Sequence, residues 1–124
     1  YSYSDGKLKE LQSIAADNAN ARGGADIHVS PDGMFVYAST RLKGDGITIF
    51  RVGNKGTLTR VGAQLTGKHP RNFAITPNGN FLLVACRDDN SIQVYSRDKD
   101  TGLLKNTHQD IVLSHPVCVK FYPE

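Results

Sequence analysis

Apolar residues in this chain fall in short alternating or unbroken runs, and no segment keeps a helical spacing. In Asp26-Ile27-His28-Val29-Ser30, Ile27 and Val29 belong to one face of an extended chain, and Asp26, His28 and Ser30 to the other. Ser30-Pro31-Asp32-Gly33 then fits a type I turn, with proline second and glycine fourth. "FVYAS" from Phe35 and "FLLVA" from Phe81 are continuous apolar runs, as a strand covered on both faces requires. "ITIFRV" and "SIQVYS" alternate more mildly. The glycine turns "GNKG" and "DKDTG" follow, and then the more polar strands "LTRVGAQL" and "LLKNTHQD".

The pattern repeats. Pro31, Gly33, Arg41, Gly56 and Leu58 return as Pro77, Gly79, Arg87, Gly102 and Leu104, each about 46 residues on. The pair His69-Pro70 returns as His115-Pro116, and Phe73, Ile75 and Pro77 are echoed by Val119, Phe121 and Pro123. Each repeat holds four strands, the most apolar near the start and the most polar at the end. That gradient is expected of a β-propeller blade, whose inner strands lie between neighbouring blades while the outermost meets solvent. A β-sandwich also has short strands and glycine turns, but it does not demand a strict four-strand period.

The fold class is therefore read as all-β, in antiparallel four-stranded blades. The expected divisions are a partial blade over residues 1–22, a blade over 23–68, a blade over 69–114, and a closing inner strand over 115–124. At this period 124 residues hold about 2.7 blades, whereas closed rings have roughly 4 to 8. Tyr1-Ser2-Tyr3 reads as the end of a third strand and "GKLKELQSI" as a fourth. "PVCVKFY" reads as a first strand with no second behind it. The chain is thus expected to be the C-terminal part of a larger ring, completed by further blades or by copies of itself.

Strand parity assigns the loops to faces. The loops before first strands ("ARGGAD", "TGKHPRN") and after second strands ("STRLKGD", "CRDDN") share one face of the blades. The opposite face collects turns selected for backbone shape. The first face carries Arg41, Arg71, Arg87, His69, His115, Asp26, Asp45, Asp88 and Asp89, and it is the candidate site. Ordinary roles compete for most of these. His69 and His115 recur with the repeat, Arg41 and Arg87 could form ion pairs between blades, and His28 could be packed between blades. Arg71 has no cationic counterpart at Ala25 or Val117, so the repeat does not account for it.

Charge and motifs narrow the chemistry. The 15 basic and 12 acidic residues are scattered, which argues against a nucleic-acid partner. No apolar run is long enough to span a membrane. Cys86 and Cys118 have neither redox nor zinc spacing and read as free thiols in a reducing, cytoplasmic setting, with a disulfide between them and an export signal upstream as open alternatives. No nucleophile elbow, zinc-binding helix motif or phosphate-cradling glycine loop is present, and neither a metal nor a cofactor is expected.

"GADIHVSPDGMFVYASTR", "GITIFRV", "GTLTRVG", "TGKHPRNFAITPNGNFLLVA" and "DTGLL" together resemble the lactonase-family seven-bladed propeller. That family includes 6-phosphogluconolactonases and carboxymuconate lactonizing enzymes. The resemblance implies hydrolysis of a phosphorylated sugar lactone, a small anion, at the channel mouth. It implies a catalytic role for Arg41 as electrostatic stabiliser, with Arg71, His69, His28 and Arg87 as substrate-binding candidates. A base would come from another blade. Two alternatives remain: a carboxymuconate-type lactone cyclisation, and a non-catalytic propeller of the YVTN kind that binds partners.

Overall fold

The computed structural model describes residues 1–16 and 22–122. Parts of the expected first blade (17–21) and closing strand (123–124) lie outside them. Strands β1 (Ser2–Ser4) and β2 (Lys7–Lys9) form a hairpin. Strands β3 (Gly24–Val29), β4 (Phe35–Thr40), β5 (Gly46–Val52) and β6 (Leu58–Leu65) form an antiparallel meander. A second meander follows in β7 (Pro70–Ile75), β8 (Phe81–Cys86), β9 (Ser91–Arg97) and β10 (Leu104–Asn106), and β11 (Ile111–Val112) also pairs with β9. Among the described residues the helical content is two single 3-10 turns, Asn54–Gly56 and Arg87–Asp89.

The repeated phrase is a repeated turn. Gly33 N–H donates to Ser30 O at 2.8 Å, and Gly79 N–H to Thr76 O at 2.7 Å. The Ser30 and Thr76 hydroxyls accept from Phe35 and Phe81 N–H, and Asp32 and Asn78 accept from Met34 and Asn80 N–H. Both glycines sit at positive φ, +72° and +71°, which side-chain-bearing residues rarely adopt.

The two meanders pack face to face, and the core is the layer between them. Phe35, Tyr37, Ile47 and Ile49 from the first meet Phe73, Leu82, Val84, Cys86 and Tyr95 from the second. Cross-strand register explains the selection. Tyr37 lies opposite Ile49, and Leu82 opposite Tyr95, so each pair presents to one face of its sheet. Val36, Ala38 and Phe50 form a smaller cluster on the other face of the first sheet. That face holds a groove of about 420 Å³ lined by Ile27, Val29, Val36, Val52 and Leu58 among others, with Ile27 and Val29 well exposed.

Polar braces tie the blades at a fixed interval. Asp26 Oδ2 accepts from Asn72 Nδ2 at 2.6 Å and from Phe73 N–H at 3.2 Å. One repeat later, Asn72 Oδ1 accepts from Val119 N–H at 2.7 Å. The deeper brace is Arg97, whose side chain is fully buried. It donates to Asp32 Oδ2 (2.7 Å), Tyr37 Oη (2.8 Å) and Gly79 O (3.0 Å), while Tyr37 Oη donates to Gly102 O (2.7 Å). Gly102 has no room for a side chain, since a Cβ there would collide with the Phe35 ring.

Two expectations are corrected. The outer strand "LLKNTHQD" is not continuous. His108 turns left-handed at φ 57°, its N–H held by Asn106 Oδ1, and this separates β10 from β11. Residues 113–122 carry no strand, so the closing inner strand expected over 115–124 is not seen among the described residues. An inner strand gains its ladder from the second strand of its own blade, and none of the described residues supplies one.

Candidate functional site

The loop before β7 and the loops after β4 and β8 converge, as strand parity required. His69 anchors the junction in a left-handed backbone conformation, φ 58°. Its N–H donates to Asp45 Oδ2 at 2.8 Å, and its C=O accepts from Arg87 N–H at 3.1 Å. One repeat on, His115 copies the backbone arrangement, with φ 44° and its N–H donating to Asn90 Oδ1 at 3.0 Å. The His-Pro backbone is thus repeat architecture.

The imidazole of His69 is not. Its Nε2 lies 2.8 Å from Arg41 Nη1, whereas the His115 ring bonds the neighbouring Ser114 hydroxyl. Arg87, the repeat partner of Arg41, pairs instead with the adjacent Asp88, Nε to Oδ1 at 2.7 Å. The next residue after Arg41 is Leu42, which offers no local carboxylate, and the guanidinium crosses to the following blade. A guanidinium can only donate, so Nε2 of His69 is the acceptor and the ring proton resides on Nδ1. Nδ1 faces Asp88 Oδ2 at 3.5 Å.

The electrostatics agree with a neutral ring. His69 is held below the usual histidine range first by burial and then by the charge of Arg87, with Asp88 opposing and Arg41 and Arg71 adding to the depression. Asp88 lies below the usual carboxylate range, chiefly through its bond from Arg87. Arg71 is exposed, and its guanidinium donates no hydrogen bond among the described residues. Arg41 Nε and Asp45 Oδ1 are buried without a hydrogen-bond partner among the described residues.

Four of the five candidates, Arg41, His69, Arg71 and Arg87, are therefore brought together around one imidazole. His28 is not among them. Its Nε2 bonds Asp26 Oδ2 at 3.0 Å and its ring meets Phe73 edge-on at 4.8 Å, contacts that belong to the blade interface. Asp88 is the member whose part sequence reasoning missed, having placed it on this face without a role. Its position one residue after Arg87 was the available signal. Cys86 is inert, its thiol pushed up to about 12 by burial.

Two stacked propeller blades with a cationic loop face define the class of protein. Comparison with known proteins makes it specific. Residues 1–121 match the family model described as lactonase, 7-bladed beta-propeller, and the chain belongs to that family. A 6-phosphogluconolactonase of Formosa agariphila is 43% identical over 119 residues, covering 92% of this chain and 34% of the relative. One from Bacillus subtilis is 33% identical over 128 residues, covering 98% of this chain and 36% of the relative. The solved structure of a proposed 6-phosphogluconolactonase from Bacteroides fragilis superposes with a TM-score of 0.95 at 60% identity, over 98% of this chain and 34% of that one. The periplasmic gluconolactonase of Pseudomonas aeruginosa gives 0.88 at 28% identity, over 97% of this chain and 34% of that one. The chain spans about a third of the length of these relatives.

Proposed function

We propose that this chain supplies blades of a seven-bladed ring that hydrolyses a phosphorylated sugar lactone of the 6-phosphogluconolactone type. The carrying observation is the Arg41–His69 contact, set among Arg71 and Arg87 on the loop face. The substrate fits this cluster: it is an anion with a polarisable ester carbonyl. Arg41 stabilises the oxyanion that develops as water adds to the carbonyl carbon. Arg71, whose guanidinium has no hydrogen-bond partner among the described residues, takes the phosphate through charge-assisted hydrogen bonds. The water's proton goes to a carboxylate or histidine on another blade. In support of a ring, the groove beneath Ile27 and Val29 is an apolar sheet face of the kind the inner strands of a preceding blade would cover. Free Cys86 and Cys118 suit a reducing, cytoplasmic compartment.

The phosphate assignment has its own test. Arg71→Ala is expected to raise KM for 6-phosphogluconolactone about tenfold or more, the value of a charged hydrogen bond, with kcat within a few-fold. Its effect on unphosphorylated glucono-δ-lactone should be small. Steady-state acid release in the closed ring measures both. Equal losses on the two lactones would remove Arg71 from the phosphate.

A further inference from the structure

The Arg41–His69 contact has a consequence for the site's response to pH, and its kinetic side rests on the lactonase reading above. We propose that His69 is a positioning residue: the lone pair on its neutral Nε2 holds the Arg41 guanidinium at the mouth, and a proton on that nitrogen releases it. The repeat isolates this role. His69 and His115 share a backbone geometry and a side-chain acceptor for their N–H, so fixing the loop needs no imidazole–arginine contact. Yet only the first junction places the ring nitrogen 2.8 Å from a guanidinium, and that ring is largely buried.

The surrounding charges favour the neutral form. Arg41 reaches the ring from the loop after β4, Arg71 from β7, and Arg87 with Asp88 from the turn after β8. Asp45 is engaged by the His69 N–H, and Asp89 by the Lys68 N–H. A protonated imidazole would be a fourth cation beside three arginines, with Asp88 the carboxylate facing its ring. It would also lose its acceptor, since both nitrogens then donate. Arg41 must then swing away, and a guanidinium displaced by about 1 Å is enough to lose of order a hundredfold in rate.

The sign follows. A histidine whose folded pKa lies below its ordinary 6.5 stays neutral at and above that value, so Arg41 is held there and freed as pH falls further. Two readouts test this. In ¹⁵N-labelled protein, long-range imidazole spectra should show His69 neutral at pH 7 with the proton on Nδ1. Its titration midpoint should lie below 6.5, and the Arg41 side-chain signals should broaden over the same interval. In lactone hydrolysis, His69→Ala is expected to lower kcat about tenfold or more, with a smaller change in KM. His69→Gln, whose amide oxygen accepts from Arg41 but does not titrate, should recover most of that loss and recover it without the wild-type acid limb.

A proton on Nε2 at pH 7, a midpoint at or above 6.5, or an acid limb that persists in His69→Gln would overturn the proposal. Failure of the lactonase reading leaves a different signature. Lactone turnover would then be missing in every variant, while the tautomer and titration spectra decide the role of His69 by themselves.

Discussion

Arg97→Ala is expected to lower the unfolding free energy by about 3 kcal/mol, near the bottom of the 3–5 kcal/mol range for breaking a buried pair. Circular dichroism should show this as a lowered Tm. Arg97 joins the two blades through three groups that are distant in sequence: Asp32, Tyr37 and the Gly79 carbonyl. Its charged form is favoured because the bonds to Asp32 and Tyr37 outweigh the cost of burial. The figure stays low because Asp32 is about a third exposed and can be rehydrated once its partner is gone. Replacing both partners, Arg97→Met with Asp32→Asn, should recover part of the loss, since no charge is then left unpaired.

The same brace gives acid sensitivity of known sign. Burial alone would raise Asp32, but bonds from Ser30, Arg97 and Met34 bring it down from 3.8 to about 2. A carboxylate depressed on folding contributes stability that is present above pH 3.8 and lost as pH falls from there through 2. Wild-type protein should therefore lose Tm across that window, and Asp32→Asn should start lower and lose less. A flat wild-type profile between pH 4 and 2 would detach the brace from stability.

Arg41→Ala carries the largest expected effect on activity. Removing a preorganised donor at a developing oxyanion costs about 10²–10³ in kcat, which is the loss expected for 6-phosphogluconolactone hydrolysis in the closed ring. Arg41→Lys should restore little. An ammonium lacks the planar fork that can engage His69 Nε2 with one N–H and the substrate oxygen with another. Full activity in Arg41→Ala, with the fold intact by circular dichroism, would end that assignment.

Much of this was legible in the residues because propeller geometry is local and repeated. A turn written as Ser30-Pro31-Asp32-Gly33 and again as Thr76-Pro77-Asn78-Gly79 requires two equivalent hairpins. Strand parity alone then brings Arg41, His69, Arg71 and Arg87 to one mouth. What escaped were features that depend on a single partner. Arg41 and Arg87 occupy equivalent positions, and their different fates turn on the next residue, Leu42 in one and Asp88 in the other. Arg97 ends an alternating strand, where arginine usually reads as solvent-facing. Its burial comes from Asp32 and Tyr37, some 60 residues earlier. The stretch around Val117 to Tyr122 has the composition of a strand but no neighbouring strand among the described residues with which to pair. His28 alternates with Ile27 and Val29 as a candidate should, and only the distance to Asp26 and the contact with Phe73 assign it to the interface.

The most direct measurement is proton release in a pH-stat when 6-phosphogluconolactone meets the closed ring carrying these blades. Release should exceed the spontaneous rate by a hundredfold or more, within the ordinary reach of enzymes, rise linearly with protein concentration, and collapse in Arg41→Ala. Release at the spontaneous rate at every protein concentration, from folded wild-type rings, would contradict the lactonase assignment.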